Sequence, residues 1–459
     1  MQGIAIKQTQ NDRVWAYTTM AAVFFLLFIW VVPDTIALRQ GLLVIAFLAS
    51  LMVIRANAEL FLRVKSAIFP LLVLSLLFIW VGIHYFFYSL NPALELKEIS
   101  SLWVRTFLGF VAAIGLGISL RKYPELMKFF YIAVFLTPIL NVSSYFYASY
   151  LKGVFLPPGV IVFFLFAKIE TAYFGAIAGA VAVGNLIQLL TNKTPKGNIK
   201  YIFLFSTGLV LVMASSILSS TKNGVVIQVF LYLFLTISLI GSYVASKQFF
   251  NLKNLAIIGL IILILGLAVH FHNNTASMGW NSIFADVAVA IDIDKHTHWQ
   301  DIGLAPAPIN SFGNEVALNT YARAAWAAVG VRLIGQYPFG YGSINQSFVS
   351  LQDIAQIKTK HLDQTHSGWI DFGLAFGIPG LVIVFLTLLS TIYIGLRNRF
   401  YSNLVPVVIC ATLIPFCLIA EVSYKQYFES LIFFITLSGS MVVFNVFAVV
   451  RDSTTSQRG

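Results

Sequence analysis

Long apolar runs, separated by short polar connections, make up most of the chain. A helix of about 20 apolar residues crosses the hydrocarbon core of a bilayer, so this pattern predicts about twelve membrane-spanning helices. We therefore expect an all-α polytopic membrane protein. The predicted spans cover roughly residues 14–32, 35–54, 67–90, 101–120, 129–149, 171–191, 201–219, 224–245, 255–271, 373–396, 403–420 and 428–450.

One connection is much longer than the others and divides the chain into three parts. Residues 1–271 hold predicted spans one to nine, residues 272–372 form a large loop, and residues 373–459 hold spans ten to twelve and a short tail. Within the loop, an Ala-rich stretch at 314–335 predicts a helix that ends at a Pro-Phe-Gly-Tyr-Gly turn. Residues 154–167 are apolar but too short to cross a bilayer, which predicts a re-entrant or interfacial segment.

Composition and charge agree with a membrane protein and exclude other classes. Apolar residues make up 59% of the 459 residues and charged residues 10%, whereas a soluble domain has about 25% charged residues. The net charge of +11 reflects basic residues in alternate short loops, as the positive-inside rule expects, and does not indicate a nucleic-acid partner. The alternation predicts cytoplasmic N- and C-termini and places the large loop on the opposite face.

Ionisable residues are essentially absent from the centres of the predicted spans. Charges at mid-membrane mark transport and proton paths, so their absence argues against a coupled transporter or a flippase. Cations at the outer ends of spans suit a phosphate-bearing lipid headgroup, because Arg and Lys bind phosphate oxygens through charge-assisted hydrogen bonds. The charges at these ends are Arg39, Arg105, Lys168, Glu170, Lys222, Asp371, Glu421, Lys425 and Glu429.

Four short motifs follow one another in the large loop and at the head of span ten. They read Asn319-Thr-Tyr-Ala-Arg323-Ala-Ala-Trp326, Pro338-Phe-Gly340-Tyr-Gly342, Gln364-Thr365-His366-Ser367-Gly368-Trp369 and Gly377-Ile-Pro-Gly380. Their order, and the position of the loop before span ten, resemble the O-antigen ligase and O-antigen polymerase superfamily of bacterial lipid-linked glycan transferases. The motifs cover residues 200–395, and the topology covers the rest.

The resemblance implies a GT-C-like fold and, with the ligases favoured, a specific reaction. An inverting glycosyltransferase of this kind moves O-antigen polysaccharide from undecaprenyl diphosphate to lipid A-core. It works without a metal or other cofactor, on the periplasmic face of the bacterial inner membrane. Three alternatives stay open: an O-antigen polymerase with a second polyprenyl-linked glycan as acceptor, a protein O-oligosaccharyltransferase, and a non-enzymatic polysaccharide or lipid flippase.

The resemblance also implies roles for individual residues. The essential loop histidine and loop arginine of the family fall on His366 and Arg323, which are the predicted catalytic residues. The family's arginine between spans seven and eight is replaced by Lys222, which keeps the charge but loses the planar fork of a guanidinium. Lys222, Arg332 and Arg105 are the candidates for binding the substrate diphosphate. A neutral histidine suits a base at neutral pH, and fixed cations suit a departing diphosphate.

Helix geometry separates two of these cations, and one acidic cluster invites a different chemistry. Arg332 lies nine residues after Arg323, about 180° around a helix, so one helix cannot aim both at one site. A short-spaced Asp and His cluster at 292–298 has metal-ligand character, but we predict no metal site there.

Overall fold

The computed structural model describes residues 10–30, 32, 34–64, 67–159, 168–191, 199–245, 258–259, 262–263, 266–267, 270, 282–302, 306–357, 364–397 and 404–444. Within these ranges the chain is helical, apart from its connections and one isolated antiparallel bridge between Ile309 and Glu315.

The described helices are numbered here in chain order. They are α1 (Gln10–Ile29), α2 (Ile36–Ala56), α3 (Ala58–Arg63), α4 (Phe69–Phe87), α5 (Pro92–Glu98), α6 (Val104–Lys122), α7 (Met127–Lys152), α8 (Lys168–Thr191), α9 (Ile199–Leu218), α10 (Lys222–Ala245), α11 (Ile283–Ile291), α12 (Leu318–Gln336), α13 (Ser347–Ile354), α14 (Gly368–Arg397), α15 (Val405–Ile419) and α16 (Lys425–Val443).

Ten helical segments in the described residues are long and apolar enough to cross a membrane, as a multi-pass membrane protein requires. They correspond to ten of the twelve predicted spans. The predicted span at 403–420 is the shorter helix α15, which ends at Ile419 because Ala420 adopts an extended conformation. The predicted span at 255–271 lies largely outside the described residues.

The most buried part of the molecule is formed by the middle of α8 and the second half of α16. Residues 171–187 and 430–443 are all buried. The helix α16 packs against α6 and α15, and α8 packs against α9, α10 and α15. Because α8 and α16 are packed at the centre of the molecule, the charged residues in their first turns have fixed positions. These residues are Glu170, Lys425 and Glu429.

Helices α5 and α6 form one continuous segment, Pro92–Lys122, through a π-helical turn at Ile99–Trp103. Its 31 residues are about 46 Å long, more than the ~30 Å of a hydrocarbon core. The α5 end therefore extends beyond the bilayer. There Glu98 accepts hydrogen bonds from the Ser343 hydroxyl (2.6 Å) and the Ile344 amide (2.8 Å), so α5 holds the loop that follows α12.

The Pro-x-Gly-x-Gly motif fills a break in α14. Gly377 has a φ of 67°, and this break frees backbone carbonyls one turn earlier. The Tyr341 amide donates to the Leu374 carbonyl (2.8 Å), and the Trp80 indole donates to the Phe376 carbonyl (2.8 Å). A Cβ on Gly377 would lie 2.3 Å from the carbonyl carbon of Phe339. The lack of a side chain at Gly377 therefore allows the Pro-x-Gly-x-Gly motif to pack against the break in α14.

The large loop has a helical core, and its Ala-rich helix begins later than predicted. The prediction was residues 314–335, whereas α12 is Leu318–Gln336. The preceding residues are held in a non-helical turn, because the Val316 amide donates to the Pro308 carbonyl (2.9 Å) and the Ala317 amide donates to Asp286 (3.2 Å). The helix ends before the Gly-containing turn, as predicted.

The predicted re-entrant segment is described only in part. Residues 154–159 are not helical, and the Gly159 amide donates to the Leu218 carbonyl at 2.8 Å. This bond places the segment beside the connection between α9 and α10. Residues 160–167 lie outside the described residues, and the division of the chain into three parts stays a prediction.

Candidate functional site

His366 lies in the turn immediately before α14, with its imidazole directed at a buried carboxylate. Its Nδ1 is 2.5 Å from Oε2 of Glu421. The His366 side chain is 29% exposed and that of Glu421 is 3% exposed. An ionised carboxylate can only accept, so it pairs with the tautomer of a neutral His366 whose Nδ1 carries the proton. In that tautomer Nε2 keeps its lone pair and can accept a proton.

The local sequence shapes this turn. His366 has a φ of 59°, a backbone conformation that is uncommon for non-glycine residues and often found at functional sites. On its N-terminal side, the Thr365 amide (2.9 Å) and hydroxyl (2.7 Å) donate to Asp371 on the first turns of α14. On its C-terminal side, the Gly368 amide donates to the Ala420 carbonyl at 2.8 Å.

Gly368 allows the two connections to approach. A Cβ at this position would lie 2.8 Å from the Ala420 carbonyl oxygen, which is closer than real Cβ contacts. The residue after Ala420 is Glu421, so this contact brings the carboxylate to the histidine. The glycine of the His-Ser-Gly motif is therefore explained by the pairing of His366 with Glu421.

Glu421 is the functional residue that the sequence analysis did not place in the site. Besides His366, it accepts a hydrogen bond from Nε2 of Gln364 (2.6 Å), and the Ser423 hydroxyl donates to the amide oxygen of Gln364. Its charge at the end of a span was the one available signal. Glu421 and His366 are 55 positions apart in the chain, and no sequence pattern indicates that their side chains meet.

Arg323 and Trp326 approach the same site from α12. The half-buried Arg323 lies close enough to Glu421 for their charges to interact. Burial lowers the pKa of the guanidinium, and the Glu421 carboxylate opposes that effect. One turn further on, the Trp326 ring lies 5.5 Å from the His366 ring. Its indole N–H donates to the Trp299 carbonyl at 3.3 Å, which fixes the ring.

Lys222 approaches from a third part of the chain. It is the first residue of α10, and the Thr221 hydroxyl caps that helix by accepting from the Gly224 amide (3.2 Å). The next residue, Asn223, donates to the Ile419 carbonyl (2.6 Å) at the end of α15, two residues before Glu421. The Lys222 and Arg323 charges are near enough to interact. The positive end of the α10 dipole adds to their field.

The result is one cluster, which we call the His366 site: His366, Glu421, Arg323 and Lys222. The histidine and the guanidinium of Arg323 lie beside the buried carboxylate of Glu421, and the ammonium of Lys222 lies near Arg323. A second buried carboxylate, Asp371, interacts with the charges of His366 and Glu421. Such an arrangement can remove a proton from a hydroxyl and can stabilise negative charge on a phosphate group.

The structure places the other two predicted phosphate ligands elsewhere. The guanidinium of Arg332 forms a bidentate pair with Asp294 at 2.8 and 2.6 Å, and this pair raises the pKa of Arg332 and lowers that of Asp294. Arg105 donates from Nε to Oε1 of Glu429 at 2.6 Å. Within the described ranges, no hydrogen bond or ion pair joins either arginine to the His366 site, so their predicted role stays a prediction.

The acidic cluster at 292–298 adds no second centre of this kind. Asp294 is occupied by Arg332, and the His298 ring lies against Tyr321. Among the residues that the structure describes, no three His, Cys, Asp or Glu side chains are grouped to hold a metal ion.

Comparison with protein-family models and with curated proteins gives no match for this chain. The class that the fold defines is a multi-pass membrane protein with a polar site at one end of its helices.

Proposed function

We propose that the chain is an inverting, metal-independent glycosyltransferase of the O-antigen ligase type. In this proposal it moves O-antigen polysaccharide from undecaprenyl diphosphate to lipid A-core on the periplasmic face of the bacterial inner membrane, with both termini cytoplasmic. One observation carries the proposal. His366 and Arg323, which the sequence motifs singled out at distant positions, both lie beside Glu421, and Lys222 lies near enough to Arg323 for their charges to interact.

The proposed reaction uses each of these groups once. The Nε2 atom of His366 accepts the proton of an acceptor sugar hydroxyl, and that oxygen bonds to the anomeric carbon of the donor. The bond between this carbon and the diphosphate oxygen breaks on the opposite side, which inverts the anomeric configuration. The diphosphate leaves with its electron pair, and Arg323 and Lys222 stabilise the added negative charge.

Glu421 supports the proton transfer without touching the substrate. Its carboxylate accepts a hydrogen bond from the Nδ1–H of His366 and stabilises the imidazolium that forms when Nε2 is protonated. Because Glu421 is buried, its charge acts across a lower effective dielectric than water, where electrostatic effects are larger.

The same site suits a polymerase, whose acceptor is a second polyprenyl-linked glycan. The predicted pattern of twelve spans favours the ligase. A flippase has no use for a histidine held as a base, and the charges of the His366 site lie at the ends of helices instead of along a path through them.

The test is a transfer assay with purified protein in detergent and EDTA. A polyprenyl diphosphate-linked glycan serves as donor and lipid A-core as acceptor. The assay is run with and without an excess of donor over acceptor. We expect glycan on lipid A-core with the wild type and with Arg397→Ala, an exposed control, and its loss in His366→Ala and Arg323→Ala. Polyprenyl-linked ladders would identify a polymerase. Transfer by His366→Ala at the wild-type rate would refute the proposed base.

A further inference from the structure

A second group of cations lies at the junction of α2, α6 and α16. Arg39, Arg105 and Lys425 surround one carboxylate, Glu429, and the charge of each interacts with it. We call these four residues the Arg39–Arg105–Lys425 cluster. Three cations around one carboxylate leave a net positive charge. Lys425 also interacts with Glu98, whose hydrogen bonds from the loop that follows α12 leave its charge in place, so three cations face two carboxylates and the net charge stays positive.

Most hydrogen-bond donors of this cluster have no protein partner. Arg105 uses Nε for Glu429, and Arg39 uses Nη1 for the Trp30 carbonyl, each at 2.6 Å. In the described part of the chain, the other nitrogen atoms of both guanidinium groups and the Lys425 ammonium make no hydrogen bond. Each guanidinium is anchored by one nitrogen, Nε in Arg105 and Nη1 in Arg39, and its remaining N–H groups suit the oxygens of a phosphate group.

The depth of the cluster matches a lipid headgroup. Arg105 and Lys122 are seventeen residues apart on one helix, so they are separated by about 26 Å, close to the thickness of a hydrocarbon core. Arg105 therefore lies near one face of the core when Lys122 lies near the other. Its neighbours on α2 and α6 include the exposed apolar residues Ile36, Leu38, Val104 and Phe107, which suit contact with acyl chains.

We propose that the Arg39–Arg105–Lys425 cluster binds the phosphate group of a membrane lipid whose acyl chains lie along α2 and α6. No hydrogen bond or ion pair within the described residues connects it to the His366 site. The inference assigns Arg105, which the sequence analysis offered for the substrate diphosphate, to a membrane lipid other than the donor, and it does not depend on the proposed glycan transfer. Soluble phosphate has the same chemistry, but the exposed apolar side chains beside the cations favour a lipid as the source.

The experiment measures lipid selectivity in liposomes that contain the full chain. Spin-labelled phosphatidic acid and spin-labelled phosphatidylcholine are compared by the fraction of label that the protein immobilises. We expect the wild type to prefer phosphatidic acid, and Lys425→Gln to weaken this preference about fivefold, because one cation near an anionic lipid contributes about that factor. The variant with Arg39→Gln, Arg105→Gln and Lys425→Gln should lose the preference.

The control variant also removes three positive charges, but from helix ends on the opposite side of the membrane from the Arg39–Arg105–Lys425 cluster. Lys128, Lys200 and Arg397 each lie over the ring of a neighbouring aromatic residue, and their replacement by Gln should preserve the preference. A wild-type preference in both Lys425→Gln and the triple variant would overturn the proposal. Complete displacement of the labelled lipid by millimolar inorganic phosphate would overturn the lipid as the source.

Discussion

Replacement of Glu421 by Gln tests the pairing on which the His366 site depends. The substitution keeps the shape of the side chain and removes its charge. Glu421 is buried and accepts from His366 Nδ1 at 2.5 Å and from Gln364 at 2.6 Å. In the variant, both hydrogen bonds have a neutral acceptor. The imidazolium that forms during transfer then has no carboxylate charge from residue 421 beside it.

The expected size of the effect follows from these bonds. A hydrogen bond to a charged group contributes about 1.5–3 kcal/mol, and a neutral one about 1 kcal/mol. The loss for the His366 pair is therefore about 0.5–2 kcal/mol. We expect kcat to fall about 2- to 30-fold. The KM for the donor should not rise, because the substitution removes no cation from the site and leaves Arg323 without an opposing charge.

The assay is steady-state transfer from a polyprenyl diphosphate-linked glycan to lipid A-core, with the substrates varied separately. The matched control is Glu125→Gln, which also removes one carboxylate that pairs with a basic side chain, but from the exposed pair with Arg13. This control should keep wild-type kcat. A wild-type kcat in Glu421→Gln would refute the positioning role, and equal losses in both variants would show that the effect is not specific to the site.

Three further predictions concern other parts of the structure. Gly377→Ala should lower the free energy of unfolding by about 2–4 kcal/mol, because it adds strain at positive φ and a backbone clash. Thermal melts in detergent measure this change. The control is Gly335→Ala, where a Cβ would meet open space, and it should keep wild-type stability or gain a little. Lys222→Gln should lower kcat/KM about tenfold through weaker diphosphate binding, whereas Lys97→Gln, an exposed control, should not; equal kinetics for the two would contradict the assignment. Asp286→Ala removes a buried acceptor of three hydrogen bonds, so hydrogen exchange at 306–317 should accelerate, and unchanged protection would contradict that role.

The membrane helices could be predicted from the sequence because their signal is local. An apolar run of sufficient length identifies a span without knowledge of its neighbours, and ten spans agree with helices in the structure. The span predicted at 403–420 agrees with α15 to within two residues at each end, but that helix, Val405–Ile419, is shorter than those ten. Its end depends on the connection that carries Glu421, and that connection is fixed by tertiary contacts with Gly368.

The candidate site could be predicted only where a short motif carried it. His366 and Arg323 came from motifs, and helix geometry predicted that Arg332 and Arg323 point apart; in the structure Arg332 pairs with Asp294. Glu421 was noted only as a charge, because its partner lies in another connection. The Pro-x-Gly-x-Gly motif was predicted only as the turn that ends the Ala-rich helix, because its second role, to fill the break at Gly377, depends on a distant helix.

The most direct test of the central claim is a single-turnover experiment with labelled polyprenyl diphosphate-linked glycan bound to the protein before lipid A-core is added, with EDTA present. The account predicts that the wild type moves the label to lipid A-core. His366→Ala should retain the labelled donor on Arg323 and Lys222 but fail to transfer it. Absence of transfer by the wild type, or transfer by His366→Ala at the wild-type rate, would contradict the account.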